Sequence, residues 1–375
     1  MRLSDLALAN LARRPARTGL TIGAVGIAVA GVVALTGIAW GFETSWQKAN
    51  DVRGTDLIVT RVASENAMPS PFAVNRIQPT LQSLPHVQSV AGLLTEMLTV
   101  DEALPPVFVF GWAYRSYLWD HLRLMDGRWP DNDAESVVMI GSLAAELLRR
   151  KPGDFVDIEG RHFRIAGTFE SSAVIENGAL LMTLTQAQLT TDKPGRVNVM
   201  NIKLDASVSD AEFEDIKAQV HRRLPGYIAI TSGELVRQNT VVRIAKAMGN
   251  ATILIAGLVG ALLVLNTMLM SVNERKREIG ILLAIGWRPS TVMKLVLGES
   301  ALLSLAGGVV GVFGGIAFTV ALEHLDLLRG KIDAEFHLAF LLAVLGMSCA
   351  LGIAGGLYPS IRAARQLPSR VLREQ

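Results

Sequence analysis

The residue types that most often carry chemistry are sparse in this sequence and poorly spaced for it. Six histidines, His86, His121, His162, His221, His324 and His337, are scattered along 375 residues, with no H-E-x-x-H to set two of them on one helix face. A metal centre needs three or four ligands that converge, so a metal-dependent hydrolase is disfavoured. Cys349 is the single cysteine, which excludes an intrachain disulfide and a cysteine-rich metal site. Ser300 and Ser304 lie in an apolar stretch with no charged partner pattern, so they do not read as intramembrane nucleophiles. No G-x-x-x-x-G-K-[ST] phosphate loop occurs, so any ATP would have to be handled by a partner. The expectation is a chain with no catalytic residue, no metal site and no cofactor of its own.

Two other spacings suggest mechanical rather than chemical work. The first is a charged turn, Asn273-Glu274-Arg275-Lys276-Arg277-Glu278, running into Ile279-Gly280-Ile281-Leu282-Leu283 and pausing at Gly286 and Pro289. In isolation this suits a membrane-surface helix, with basic residues on head groups and Ile279, Leu282 and Leu283 dipping in. The second is glycine at every fourth position: Gly307, Gly311 and Gly315, then Gly19 and Gly23, Gly37 and Gly41, and Gly352 and Gly356. Small residues so spaced let helix backbones approach closely in lipid. The spacing fits packing within one chain and an interface between subunits equally well.

The elements that must position these residues follow from hydropathy. Half the residues are apolar and 19% are charged, against about a quarter in soluble chains. The apolar residues gather in four uncharged blocks, 18–42, 247–273, 300–322 and 338–361. Each is long enough for a helix to cross a ~30 Å hydrocarbon core. The first is too long for a signal peptide and lacks a small-residue cleavage site. Arg2, Arg13, Arg14 and Arg17 precede it. Arg275, Lys276, Arg277, Arg288 and Lys294 lie between the second and third, and Arg362, Arg365, Arg370 and Arg373 follow the fourth. In the loop after the third, Arg329 and Lys331 are outweighed by Glu323, Asp326, Asp333 and Glu335. The positive-inside rule then puts both termini and the middle loop in the cytoplasm. The predicted layout is a cytoplasmic segment 1–17, a span at 18–42, an outside domain at 43–246 and a second span at 247–273. A cytoplasmic segment at 274–294, a third span at 295–322, a short outside loop at 323–337, a fourth span at 338–361 and a tail at 362–375 complete it. The fold class is thus a membrane protein with four transmembrane helices (1 + 3) and a large α+β extracytoplasmic domain between the first and second.

The outside domain holds 21 basic and 25 acidic residues, net −4, and the whole chain is only +2, which gives no reason to expect a nucleic-acid partner. Alternating or β-branched runs predict strands at 56–61, 107–110, 136–140, 155–158, 162–166, 197–204 and 227–231. Helices are predicted at 78–84 and at 210–224, the latter capped by Ser209 and stopped by Pro225-Gly226. Strand–helix–strand occurs near both ends, at about 54–100 and 197–231, suggesting two α+β units around a β-rich insert at about 126–185. The segments 43–53 and 233–246 contain no proline and little glycine, which predicts that both spans continue as paired helices, a stalk.

Glu274-Arg275, Arg277 through Leu282, Ala284-Ile285-Gly286 and Glu299 before a glycine-rich span form a pattern that resembles the MacB/FtsX/LolC-type permeases of ABC transporters. Asn10-Leu11-Ala12-Arg13-Arg14-Pro15 is similar to that family's N-terminal amphipathic segment. Gly127-Arg128-Trp129-Pro130, 137–141, Gly153-Asp154 and 163–167 resemble its extracytoplasmic domain, and Tyr358-Pro359, Ala363-Ala364 and Pro368 its ending. The resemblance implies a permease that transmits motion from a separate cytoplasmic ATPase dimer, which binds ATP and Mg, to an outside domain. It also implies a second permease chain, copy or paralogue, and a bacterial inner-membrane location. A periplasmic adaptor, lipoprotein or hydrolase would then be the outer partner. By this resemblance the coupling contact falls on Glu274, Arg275, Lys276, Arg277, Glu278, Ile279, Gly280, Leu282 and Gly286. The sequence departs from MacB proper in showing no fused ATPase. The size of the outside domain favours export or lipid and lipoprotein handling over FtsX-like activation of an outside partner. A receptor would need a cytoplasmic output module larger than 274–294 or the tail.

Overall fold

The computed structural model describes residues 15–61, 69–100, 106–238, 240–325 and 334–366. The expected N-terminal amphipathic motif up to Arg14 and the tail beyond residue 366 lie outside them. The chain divides into two compact units, one of Ile38–Ala245 with Leu322–Ala334, the other of the remaining chain.

Helix α1 (Pro15–Val52) is the first element of the described residues; its 38 residues rise about 57 Å, nearly twice what a bilayer core needs. Its last turns belong to the α/β unit. There follow β1 (Leu57–Arg61), β2 (Phe72–Ala73), α2 (Val74–Gln82), β3 (Val87–Leu98) and β4 (Val107–Trp112). The insert contains β5 (Arg123–Gly127), β6 (Val137–Gly141), α3 (Ser142–Leu148), β7 (Phe155–Ile158), β8 (Arg161–Glu170), α4 (Val174–Asn177), β9 (Leu180–Thr183) and α5 (Leu184–Thr190). The unit closes with β10 (Arg196–Val197), β11 (Val199–Leu204), α6 (Asp210–Arg223), β12 (Tyr227–Ile230) and α7 (Ser232–Gln238).

Ten of these strands form one sheet, ordered β12-β1-β11-β3-β4-β9-β6-β8-β5 with β7 beside β8. Strands β1, β3, β11 and β12, with α2 and α6, make a βαββαβ motif whose strands lie in the order fourth, first, third, second. That is a ferredoxin-like split unit. Ile58 faces both Ile230 and Asn201 across antiparallel ladders. The two expected α+β units are therefore interleaved rather than set side by side. The insert is not a separate closure either: β9 runs parallel to β4, Phe110 opposite Leu181, and extends the same sheet. Helix α2 begins four residues earlier than its pattern suggested and holds Pro79 inside it, burying Ile77 and Leu81. Helix α6 is capped as its sequence signals. Ser209 Oγ accepts from the Glu212 amide, and the Glu212 carboxylate accepts from the Ser209 amide at 2.9 Å.

The first span continues as a helix to Val52, and its end packs into the α/β domain. Ala49 is fully buried among Phe108, Phe110 and Trp112, and Trp46 stands edge-on to Phe108 at 5.3 Å. Just past the helix, the Arg53 side chain is 1% exposed and donates through Nε to Glu176 Oε1 at 2.7 Å. Glu176, itself without exposed surface, also meets His121 Nε2 at 2.7 Å and accepts from Ser171 Oγ at 2.5 Å. Burial pushes the Glu176 carboxyl up, but Arg53, His121 and Ser171 together hold it below its ordinary value. A carboxyl whose folded pKa is depressed stabilises the fold fully above its unfolded pKa of about 4.3 and loses that contribution as pH falls towards the folded value. Acidifying the full chain in detergent from pH 7 to pH 4 is thus expected to lower its unfolding temperature, read by tryptophan fluorescence. Glu176→Gln should be less stable at pH 7 and lose less on acidification. Parallel pH profiles for the two proteins would show that Glu176 contributes nothing to the acid sensitivity.

The other unit is built from α1 up to Gly37, α8 (Thr240–Glu274), α9 (Lys276–Ala284), α10 (Pro289–Glu323) and α11 (Leu338–Ala364). Four of its helices, α1, α8, α10 and α11, are long and apolar enough to cross a membrane. Helix α10 presents Gly307, Gly311 and Gly315 to α1 of the same chain. A β-carbon built on them would come within 2.7, 2.5 and 2.7 Å of Val25, Val29 and Val33. On its other side Ser304 and Gly308 meet Gly352 and Ser348 of α11, where Ser348 Oγ donates to the Ser304 carbonyl at 2.7 Å. The α10 glycines are accordingly an intrachain seam. The equally regular Gly19 and Gly23 meet no described atom within 4 Å of such a β-carbon.

Candidate functional site

Helix α8 ends at Glu274, and Arg275 leaves helical geometry before α9 starts at Lys276. Helix α9 is two-faced. Ile279 and Gly280 are buried, with Ile279 among Val272, Val292, Val296 and Ala363, and Leu282 is half-buried. Lys276, Arg277, Glu278, Ile281, Ala284, Ile285 and Arg288 are exposed. The helix stops in a Schellman turn: the Trp287 amide donates to the Leu282 carbonyl at 3.0 Å and the Gly286 amide to Leu283 at 3.2 Å. Gly286 has φ +101°, a conformation that side chains resist, which explains why the pause falls on glycine. Pro289 then begins α10.

Charge pairs pin this turn to the bundle. Arg275 Nη1 donates to both Glu299 oxygens, at 2.9 and 3.0 Å, and its Nε to Glu278 at 3.1 Å. The Glu299 side chain is 3% exposed. Arg17 Nη1 donates to Glu274 at 3.0 Å, and the Thr21 and Thr267 hydroxyls lie 3.0 Å apart, tying α1 to α8. The N-terminal side of α9 is thereby tied to α1 and α10, and Ile279 seats the helix against the bundle.

The nine residues expected to make the coupling contact therefore do not share one face. Arg275, Ile279 and Gly280 face the bundle, Lys276, Arg277 and Glu278 face out, and Glu274 pairs with Arg17 of α1; Leu282 and Gly286 shape the helix and its end. The sequence reading grouped them because they are contiguous, but contiguity on a helix scatters side chains around the axis. Of the other residues in the stretch, Ile281 is exposed on α9 one turn beyond Arg277, and Ile285 and Arg288 are exposed just past the helix end. Among the described residues no group of three or more histidine, cysteine or acidic side chains is placed to hold a metal.

Residues 18–219 match the family model described as MacB-like periplasmic core domain, and residues 250–368 match FtsX-like permease C-terminal. The first covers more than half of the chain. This chain belongs to the MacB/FtsX family of ABC-transporter permeases. It is a membrane protein with four apolar helices and a MacB-like α/β domain between the first and second. It is 27% identical to the macrolide export ATP-binding/permease protein MacB of Nitrobacter winogradskyi, over 98% of this chain and 59% of that protein. An uncharacterized ABC transporter permease of Methanocaldococcus jannaschii is 28% identical over 66% of this chain and 65% of its own length. The chain thus spans about three-fifths of the length of MacB relatives. The solved periplasmic region of MacB from Actinobacillus actinomycetemcomitans superposes on 51% of the chain, at 16% identity and a TM-score of 0.38.

Proposed function

We propose that this MacB/FtsX-type permease receives the stroke of a cytoplasmic ATPase on α9 and delivers it to the α/β domain. The observation that carries the reading is the two-faced α9, pinned by Arg275–Glu299 on one side and offering Lys276, Arg277 and Ile281 on the other, with Ile285 and Arg288 exposed just past its end. A pinned element passes on displacement; a loose one would absorb it. The partner ATPase binds ATP and Mg, a second permease chain completes the complex, and lysine and arginine near the span ends set α9 and both termini in the cytoplasm of a bacterial inner membrane. Cargo is handled at the outer face, in export or in lipid or lipoprotein traffic. That choice is supported by the bundle's character: a cavity of about 190 Å³ is lined by Val25, Val29, Ala256, Gly260, Met347, Leu351 and other apolar residues with Ser304 and Ser348, and no charged group, which suits no hydrated path.

Lys276→Glu with Arg277→Glu tests the reading. Both side chains are exposed, so the fold should keep its unfolding temperature. Repulsion at the docking face should weaken ATPase retention on the purified permease by about tenfold or more. Native purification followed by mass spectrometry measures it. Undiminished retention would remove α9 from the contact, and a wild-type chain that retains no phosphate-loop ATPase from intact membranes would remove the function.

A further inference from the structure

The Arg53–Glu176 pair is costly for what it does to stability alone. Both side chains are essentially without solvent contact. Such a pair rarely outperforms apolar residues of the same size, because desolvating two charges offsets their attraction. What the pair adds is a fixed direction. Arg53 follows α1 immediately, its guanidinium lying 5.1 Å from the Phe110 ring centroid and 4.9 Å from that of Trp112, both on β4. Its Nη1 reaches back 3.4 Å to Asn50 of α1. Glu176 belongs to α4 in the insert and gathers His121 and Ser171 from the two segments beside it. A second tie runs from Ser232 Oγ, at the start of α7, to Asp51 at 2.9 Å.

One helix end is thus keyed to a central strand and to the insert by charge geometry, where an apolar contact would let the surfaces slide. We propose that Arg53 and Glu176 are positioning residues for transmission, making the end of α1, strand β4 and helix α4 move as one body. The inference rests on the reading that the spans are driven by an ATPase. The helix that carries Arg53 continues without a break back to Pro15, and near its start Arg17 is paired with Glu274. A shift of α1 along or about its axis therefore has a path into the sheet, and the pair fixes where it arrives.

The test compares hydrogen exchange of the full permease, bound to its co-purified ATPase, with and without a non-hydrolysable ATP analogue. In the wild type a nucleotide-dependent change is expected at 274–299 and again at Val107–Trp112 and Val174–Asn177. The apolar pair Arg53→Met/Glu176→Leu costs His121 and Ser171 a partner and so lowers the unfolding temperature, but should leave the response at 274–299 in place and lose the response at Val107–Trp112 and Val174–Asn177. Arg53→Lys keeps the charge but not the planar fork, and should lower the response at the same strand and helix; it supplies the answer if the double variant does not fold. An undiminished distal response in either folded variant, with 274–299 still responding, overturns the joint and leaves the proposed function standing. No response at 274–299 in the wild type overturns both.

Discussion

Glu299→Ala is expected to destabilise the membrane unit by about 3–5 kcal/mol, the usual cost of removing one partner from a buried pair. Arg275 would be left with Glu278, whose side chain is 55% exposed, as its remaining partner across the turn. The double replacement Arg275→Met/Glu299→Leu should cost far less, since no uncompensated charge remains and the volumes are similar. The comparison is made by unfolding the purified chain in mixed micelles, with the singles Arg275→Met and Glu299→Leu closing the double-mutant cycle. If the double variant loses as much stability as the two singles summed, the pair contributes no attraction and Glu299 is kept for some other reason. The cycle also separates fold from function. In the double variant α9 keeps its buried Ile279 but loses its ionic anchor to α10, so ATPase retention should persist while nucleotide-dependent motion of α10 weakens.

What could be read beforehand follows the range of the interactions. The spans were legible because about twenty consecutive apolar residues have few other uses. Strands β1, β6 and β7 were legible because β-branched and aromatic residues crowd a short run. Strand β3 was expected only as the unbounded close of the unit at 54–100, since Val87–Leu98 mixes Gln88, Gly92, Ala91 and Glu96 into a segment buried only in its middle. Strand β9, Leu180–Thr183, is leucine and methionine where a strand would advertise valine. Sheet order was beyond reach for a different reason: β4 and β9 pair across some seventy residues, and no local pattern records that. The same limit governs the charged sites. Glu299 stood out at the mouth of a span, but the arginine that satisfies it lies 24 residues earlier, and Arg53 finds Glu176 across 123 residues. The stretch 274–286 was singled out by resemblance; which of its residues turn inward needed the neighbouring helices.

The glycines show the limit most sharply, because Gly23 and Gly311 sit in equally regular repeats and are expected to respond in opposite directions. Alanine at a helical glycine ordinarily stabilises by about 1 kcal/mol, through lower chain entropy in the unfolded state. Gly23→Ala should show that gain, since a β-carbon there meets no described atom within 4 Å. At Gly311 the added carbon would stand 2.5 Å from Val29 Cβ and 2.6 Å from the Gly26 carbonyl oxygen, and the latter is backbone that cannot rotate away. The α1–α10 seam would have to open along its length, so Gly311→Ala should be destabilising and Gly311→Leu should cost about 3 kcal/mol or more. Thermal unfolding in one detergent, with chemical crosslinking to count subunits, decides between the packing arrangements. A stable Gly311→Leu that merely loses its dimer would move the seam from within the chain to between chains. A destabilised Gly311→Leu beside a stabilised Gly23→Ala means that α10 packs on α1 of its own chain, backbone against backbone, as the close approach at Gly307, Gly311 and Gly315 requires.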